Sequence, residues 1–342
     1  MDIEYEELFD AAFVDALALI SRVIGFQFPY VPTFMPNDYA MFSARAFQDE
    51  QTIAIEINRG CIEQIEALWD TVLEERILLN IDGKRLLSSD GKALDKNYLL
   101  HTSLVWLILH ELMHVRLGHL ELLDVTSLAE VEPASETSKS RLAQNLAEHF
   151  SEDELKLVRP CLELQADNDA TEILFGAYDE GKWDQFRIEA AAIFVVMALM
   201  ERAESALDIP EEERTYPKVG TRFFTLFAQL FQYWLYGDAE LEAGDRESFL
   251  RTAREPQGED FERYAKTVLA LTISDAIQIA ASADVTSFLD DIGAGQGFFE
   301  DIYNIQYAEN LEEADLQTEA AKQWRELLPI NERFMGLSGL RE

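Results

Sequence analysis

The chain has 342 residues and is 48% hydrophobic, enough for a large buried core and, by length alone, one to three domains. Its 28 Lys and Arg stand against 65 Asp and Glu, a formal net charge of −37. A surface that acidic repels nucleic-acid phosphates and anionic lipid heads, so neither is an expected partner. The acidity is compatible with a basic protein partner, with solubility or with a salty habitat, and is most simply a solvated acidic surface.

The N-terminal stretch Met1-Asp-Ile-Glu-Tyr-Glu-Glu lacks the basic start of a signal peptide. Helical periodicity covers residues 6 to 24, through Leu8, Phe9, Ala12, Phe13, Ala16, Leu17 and Ile20. Pro29, Pro32 and Pro36 make Phe26 to Pro36 extended or looped. Thr52 to Asn58 is short and isoleucine-rich and reads as a strand; a helix follows from Cys61 to about Leu79. Asp82-Gly83 and Asp90-Gly91 mark two turns around a small hairpin. The next helix is expected from Asn97 to Leu123. Residues 130 to 153 read as an acidic surface insertion with a short helix at Leu142 to Phe150. From Glu154 to Leu207 the pattern is helical, broken near Pro160 and at Gly176 to Lys182. Within it Ala190 to Met200 is too short to span a bilayer and reads as a buried helix. Asp208 to Pro217 is a loop, and further helices are expected at 221–236, 259–283 and 309–328. Gly293 to Gly297 is a flexible turn, with neither the strand nor the Lys-Ser/Thr ending of a phosphate loop. Cys61 and Cys161 sit at apolar helix positions and read as free buried thiols, with no disulfide framework. The fold expected is mainly α with a small β-sheet, in a cytoplasmic protein.

Four of the five histidines lie between positions 101 and 119, three of them in His110-Glu111-Leu112-Met113-His114-Val115-Arg116-Leu117-Gly118-His119. This holds H-E-x-x-H within an apolar helix. Helical residues four apart lie about 40° apart around the axis, so His110 and His114 can hold one metal ion. Glu111, beside the first ligand, can take a proton from a water on that metal. The competing reading is a chance match on a buried helix. His101 and His119 each lie nine residues from His110, on the opposite face of the same predicted helix, and are expected to pack or cap. His149, in the polar insertion, is expected to be solvated.

A catalytic zinc takes three protein ligands and leaves one position open. Glu163, in Glu163-Leu-Gln-Ala-Asp-Asn-Asp-Ala170, is the candidate third ligand. Asp167 stands one turn later on the same face and can accept the far N–H of a ligating histidine. The alternative is an acidic helix face turned to water. An oxyanion on the attacked carbonyl also needs a donor, for which Tyr216 and Arg222, in Thr215-Tyr-Pro-Lys-Val-Gly-Thr-Arg222, are candidates.

Together these three segments resemble the gluzincin metallopeptidases related to the CAAX-prenyl and HtpX-like endopeptidases. The chain looks closest to their soluble phage-exclusion relatives, the Lit-like peptidases. In that pattern H-E-x-x-H is followed by E-x-x-A-D and then by H-P-x-x-x-x-R. Here the first is His110, Glu111 and His114; the second is Glu163, Ala166 and Asp167; the third is Pro217 and Arg222, with Tyr216 replacing the histidine. The resemblance covers roughly residues 50 to 225. It implies a zincin-like core over 46–225 and says little about the flanks, which periodicity reads as an N-terminal helical segment (1–45) and a C-terminal helical region (226–342). It further implies that the strand Thr52 to Asn58 lies at the cleft edge and pairs with an extended peptide substrate. Because it fits the family position, Arg222 is favoured over Tyr216 as the oxyanion donor.

The function expected is therefore a soluble zinc endopeptidase acting on a protein or peptide substrate, with Zn2+ on His110, His114 and Glu163 and with Glu111 as general base. By the resemblance, its range is narrow and its setting phage exclusion. Two rivals are a zincin-fold regulatory or toxin–antitoxin-like protein acting by contact, and an acidic decoy of nucleic acid. Neither requires the glutamate next to His110.

Overall fold

The computed structural model describes residues 3–48, 51–88, 91–92, 94–120, 148–207, 216–236, 258–292, 295–307 and 316–338. The predicted insertion therefore lies largely outside the described residues, as does the loop from 208 to 215. The chain opens with α1 (Ile3–Ile24) and a three-stranded sheet, β1 (Thr33–Asn37), β2 (Ala44–Gln48) and β3 (Ile53–Asn58). Then come α2 (Arg59–Glu74), α3 (Lys96–Arg116), α4 (Glu152–Phe175), α5 (Trp183–Ser205) and α6 (Val219–Tyr236). The helix α7 (Glu259–Tyr264) continues through a π-helical turn at Ala265–Leu269 into α8 (Ala270–Ser282). Last are α9 (Thr286–Ile292), α10 (Gln296–Tyr307) and α11 (Glu319–Ser338). The architecture is mostly helical with a small sheet, as the composition and periodicity imply.

The sheet order is β1-β3-β2. β3 runs parallel to β1, with Phe34 opposite Ile55, and antiparallel to β2, with Ala46 opposite Ile55. The strand expected at an edge is thus the central one. Its burial agrees with this: Ile53, Ile55 and Ile57 are fully buried on one face, and on the other Ala54 and Asn58 are buried and Glu56 half-buried, as suits a strand covered on both faces. The edges fall to β1, where Pro36 is tolerated, and to β2, which the sequence reading did not anticipate.

α3 is the axis of the molecule. It packs against α1, α2, α4 and α5, and from Leu99 to Val115 every residue but His101 is buried. Asp95 caps its start by accepting from the Tyr98 N–H at 2.8 Å. The buried polar groups along it find partners: Trp69 donates to Ser103 Oγ (3.0 Å), and Trp106 donates to Thr171 Oγ1 (3.1 Å). One apolar cluster runs from Phe9 on α1 through these helices to Ala321 on α11.

Several boundaries differ from expectation. α2 ends at Glu74 because Arg76 and Leu78 take positive φ and turn Ile77 and Leu78 into the core. Pro160 does not break α4. The carbonyl it leaves without its helical donor belongs to Lys156, an exposed residue. The helix expected at 309–328 lies at Glu319–Ser338, and the end of the predicted glycine turn, Gln296-Gly297, opens α10. Cys61 and Cys161 are free and buried. Among the described residues no helix is long and apolar enough to cross a membrane.

Candidate metal centre and cleft

His110 and His114 stand one turn apart on α3, with ring nitrogens Nε2 3.2 Å from each other. The crossing helix α4 brings Glu163 to them. Its Oε2 lies 3.3 Å from His110 Nε2 and 3.5 Å from His114 Nε2. All three residues are buried, and Oε2 has no hydrogen-bond partner. A buried carboxylate oxygen left without a donor is costly, whereas two imidazole nitrogens and one carboxylate are a donor set that zinc accepts. The three residues form the one group of potential metal ligands found among the described residues, and they fit a metal ion.

The electrostatics agree. Burial favours a neutral ring on His110, but the carboxylates of Asp167 and Glu163 outweigh it and push its pKa up to about 10. Burial likewise opposes a charged Glu163, yet His114 and His110 hold it well below the usual carboxylate range. The cluster is built around concentrated negative charge that a cation relieves.

Behind the ligands stands a second layer. His110 Nδ1 lies 2.9 Å from Asp167 Oδ1, within ion-pair distance but without the alignment of a hydrogen bond. Arg222 grips the same carboxylate in a two-pronged pair, Nε to Oδ2 at 2.7 Å and Nη2 to Oδ1 at 2.6 Å. This corrects the preference for Arg222 as oxyanion donor. Its guanidinium is 2% exposed, spent on Asp167 and Met200, and absent from the cleft lining. The reason lies in the fold, since α6 packs on α4 and its first turn meets Asp167 before it reaches the cleft.

His119 is a second correction. The reading that sent it to the far side of the helix assumed that α3 continues. Instead α3 ends at Arg116, and Gly118 takes φ +69°, a conformation that glycine adopts without strain. The chain turns back, and His119 becomes fully buried with Nδ1 3.0 Å from His114 Nδ1 and Nε2 3.0 Å from Gln165 Oε1. Burial and the neighbouring His114 hold its pKa down at about 3. A glycine after a histidine helix, followed at once by another histidine, was the available signal. His101 pairs with Asp15 at the surface (2.9 Å), and His149 is exposed.

Glu111 lies on a cleft of about 370 Å3. The cleft is lined by His110, His114 and Glu163, by Met41 to Ala46, and by Arg159, Met200, Glu204 and Tyr216. The Ala46 N–H of β2 donates to the Glu111 carboxylate, and burial raises the pKa of that carboxyl. β2 is therefore the strand at the cleft edge, in place of β3. Its approach depends on Gly60, where a Cβ would sit 2.1 Å from the Ala40 carbonyl oxygen. Only glycine lets the loop before β2 cross the start of α2 this closely. The Tyr216 phenol is pushed above its ordinary range by the charge of Glu163 and by burial, which keeps it a hydrogen-bond donor. Arg159, one turn before Glu163 on α4, was not anticipated from the sequence. Its Nε has no hydrogen-bond partner among the described residues.

Residues 82–233 match the model of the Peptidase U49 family. The match supports a peptidase. It spans α3 to α6 and so takes in every side chain of the candidate site from His110 to Arg222, but neither the sheet nor the helices after α6. No curated protein and no solved structure matches the chain.

Proposed function

We propose that the chain is a zinc-dependent endopeptidase, with His110, His114 and Glu163 as the metal ligands. One observation carries this reading: two imidazole nitrogens and an unpartnered carboxylate oxygen converge, buried, on the wall of a cleft that also holds Glu111 and the edge strand β2. A zinc ion held there would acidify a water and polarise the scissile carbonyl.

The chain's own residues supply the rest. Glu111, adjacent in sequence to the first ligand and facing the cleft, takes the proton of the attacking water and delivers it to the leaving amine. Its raised pKa brings it nearer to neutrality, where accepting and returning a proton are both efficient. Tyr216 donates to the carbonyl oxygen as negative charge develops on it. Asp167 holds His110 in the tautomer that presents Nε2, and Arg222 holds Asp167. An extended substrate lies against β2, whose Ala44, Arg45 and Ala46 line the cleft, in the manner of strand addition. The narrow substrate range and the phage-exclusion setting follow from the sequence resemblance and belong to the same proposal.

Zinc content and cleavage of a model protein substrate, measured for the native chain and for Glu111→Gln, test the reading. The native chain is expected to hold about one zinc. The variant is expected to keep the metal and lose hydrolysis. A chain that takes no zinc overturns the metal reading. A Glu111→Gln variant with full biological effect overturns the peptidase and leaves a protein that acts by contact.

A further inference from the structure

The helix α11 lies outside the family-matched residues, yet it reaches the centre of the molecule. Its apolar face, Leu327, Ile330 and Phe334, packs on Val158, Cys161 and Leu162 of α4. This packing sets Asn331 beside Gln165, which lies two residues beyond Glu163. Gln165 Nε2 donates to Asn331 Oδ1, and Gln165 Oε1 lies 3.0 Å from His119 Nε2. His119 Nδ1 in turn lies 3.0 Å from His114 Nδ1. A continuous polar chain therefore runs from the C-terminal helix to a proposed metal ligand.

We propose that Asn331 and Gln165, acting through His119, position His114 for metal binding, so that the C-terminal helix sets the metal affinity of the site. The inference rests on the metal reading given above.

The hydrogen-bond directions admit one arrangement. His114 Nε2 faces His110 and Glu163, so it is the nitrogen that must be free of a proton to ligate. The ring's proton then sits on Nδ1 and is donated to His119 Nδ1. His119, accepting there, carries its own proton on Nε2 and donates it to Gln165 Oε1. Gln165 is held with that oxygen inward because its amide nitrogen is engaged by the Asn331 carbonyl oxygen. Every link dictates the orientation of the next, and the outcome at the far end is the tautomer and ring plane of His114.

A purely structural role does not call for this chain. His119 is fully buried and Gln165 and His114 nearly so, and an apolar side chain would fill the same space without needing partners. A buried polar network is stable only when each member is satisfied. Here the last partner comes from α11. These are positioning residues, and none of His119, Gln165 or Asn331 lines the cleft.

The test measures zinc affinity of the full chain by competition with a chromogenic chelator, the absorption spectrum of the cobalt-loaded protein, and the melting temperature of the metal-free protein. His119→Phe is expected to weaken zinc binding about 10- to 100-fold and to alter the cobalt spectrum. His119→Asn, whose side-chain oxygen can accept from His114 Nδ1, is expected to recover most of the loss. Asn331→Ala should weaken binding by a smaller factor. Arg333→Ala removes the α11 contact to Glu154 (3.0 Å) outside the polar chain and should leave the affinity unchanged.

The proposal is overturned by native affinity and spectrum in a folded His119→Phe or Asn331→Ala chain. Equal losses for Asn331→Ala and Arg333→Ala also overturn it, since docking of the helix would then be all that matters. If His119→Phe does not fold, the Asn331 and Arg333 pair decides. If the native chain takes no zinc, or His114→Ala binds it as well, the metal reading itself falls and this inference falls with it.

Discussion

Arg222 and Asp167 form a buried two-pronged ion pair at 2.6 and 2.7 Å, with both side chains 2% exposed. Asp167 also faces His110 Nδ1 at 2.9 Å, so the pair stands behind a proposed metal ligand as well as joining two helices. Removing one partner of such a pair strands a buried charge and costs about 3–5 kcal/mol. Arg222→Met is therefore expected to lower unfolding stability by that order in urea titrations. Zinc affinity should fall in the same variant by about 10- to 100-fold, because Asp167 is no longer held. Arg222→Lys keeps the charge but loses the planar fork, and should rescue only part. Native stability and affinity in Arg222→Met would remove Arg222 from the site.

Tyr216 lines the cleft with Glu111 and the three proposed ligands, and its phenol is kept protonated by Glu163 and by burial. Tyr216→Phe removes the hydroxyl and little else. Turnover should fall by about 10²–10³, the usual loss for one oxyanion donor, with zinc content unchanged. An unaltered kcat would exclude the phenol from the reaction.

Glu189 on α5 gives a pH signature away from the metal. Burial pushes its carboxyl up to about 8 from an ordinary 4.5, against smaller opposing effects from Gln185 and Lys182. Between those two values the folded chain binds more protons than the unfolded one, so stability falls as pH rises. The loss begins above 4.5 and is complete beyond about 8, at no more than about 1.4 kcal/mol per pH unit. Glu189→Gln should abolish this component and be the more stable chain at about pH 8. Parallel melting curves for the two chains across the range would refute the assignment.

Arg159 places a cation in the cleft of a chain whose net charge is −37. With its Nε unpartnered among the described residues, it is suited to a substrate carbonyl or carboxylate. A hydrogen bond to a charged group contributes about 1.5–3 kcal/mol. Arg159→Gln should therefore raise KM by roughly 10- to 100-fold and leave the melting temperature near the native one. An unchanged KM on a cleaved protein substrate would show that the side chain does not meet substrate.

Some of this was legible in the sequence because it depends on local geometry alone. An α-helix turns once every 3.6 residues, so His110 with His114, and Glu163 with Asp167, had to share a face wherever the helices went. The isoleucines of β3 and the break at Gly176 to Lys182 are readable for the same reason. Tertiary structure decided which faces meet. Apolar burial is not directional, and nothing in the spacing of Arg222 or Gln165 says which helix each will face. Gly118 reverses the chain and turns His119 from a remote residue into the neighbour of His114. Pro160 passes through α4, and the carbonyl it frees belongs to an exposed residue, Lys156. β2, too short and mixed to stand out, pairs with β3 and lines the cleft. Helical spacing alone set which of the proposed ligands share a face; the packing of α4 on α3, and of α6 and α11 on α4, chose the side chains that stand behind them.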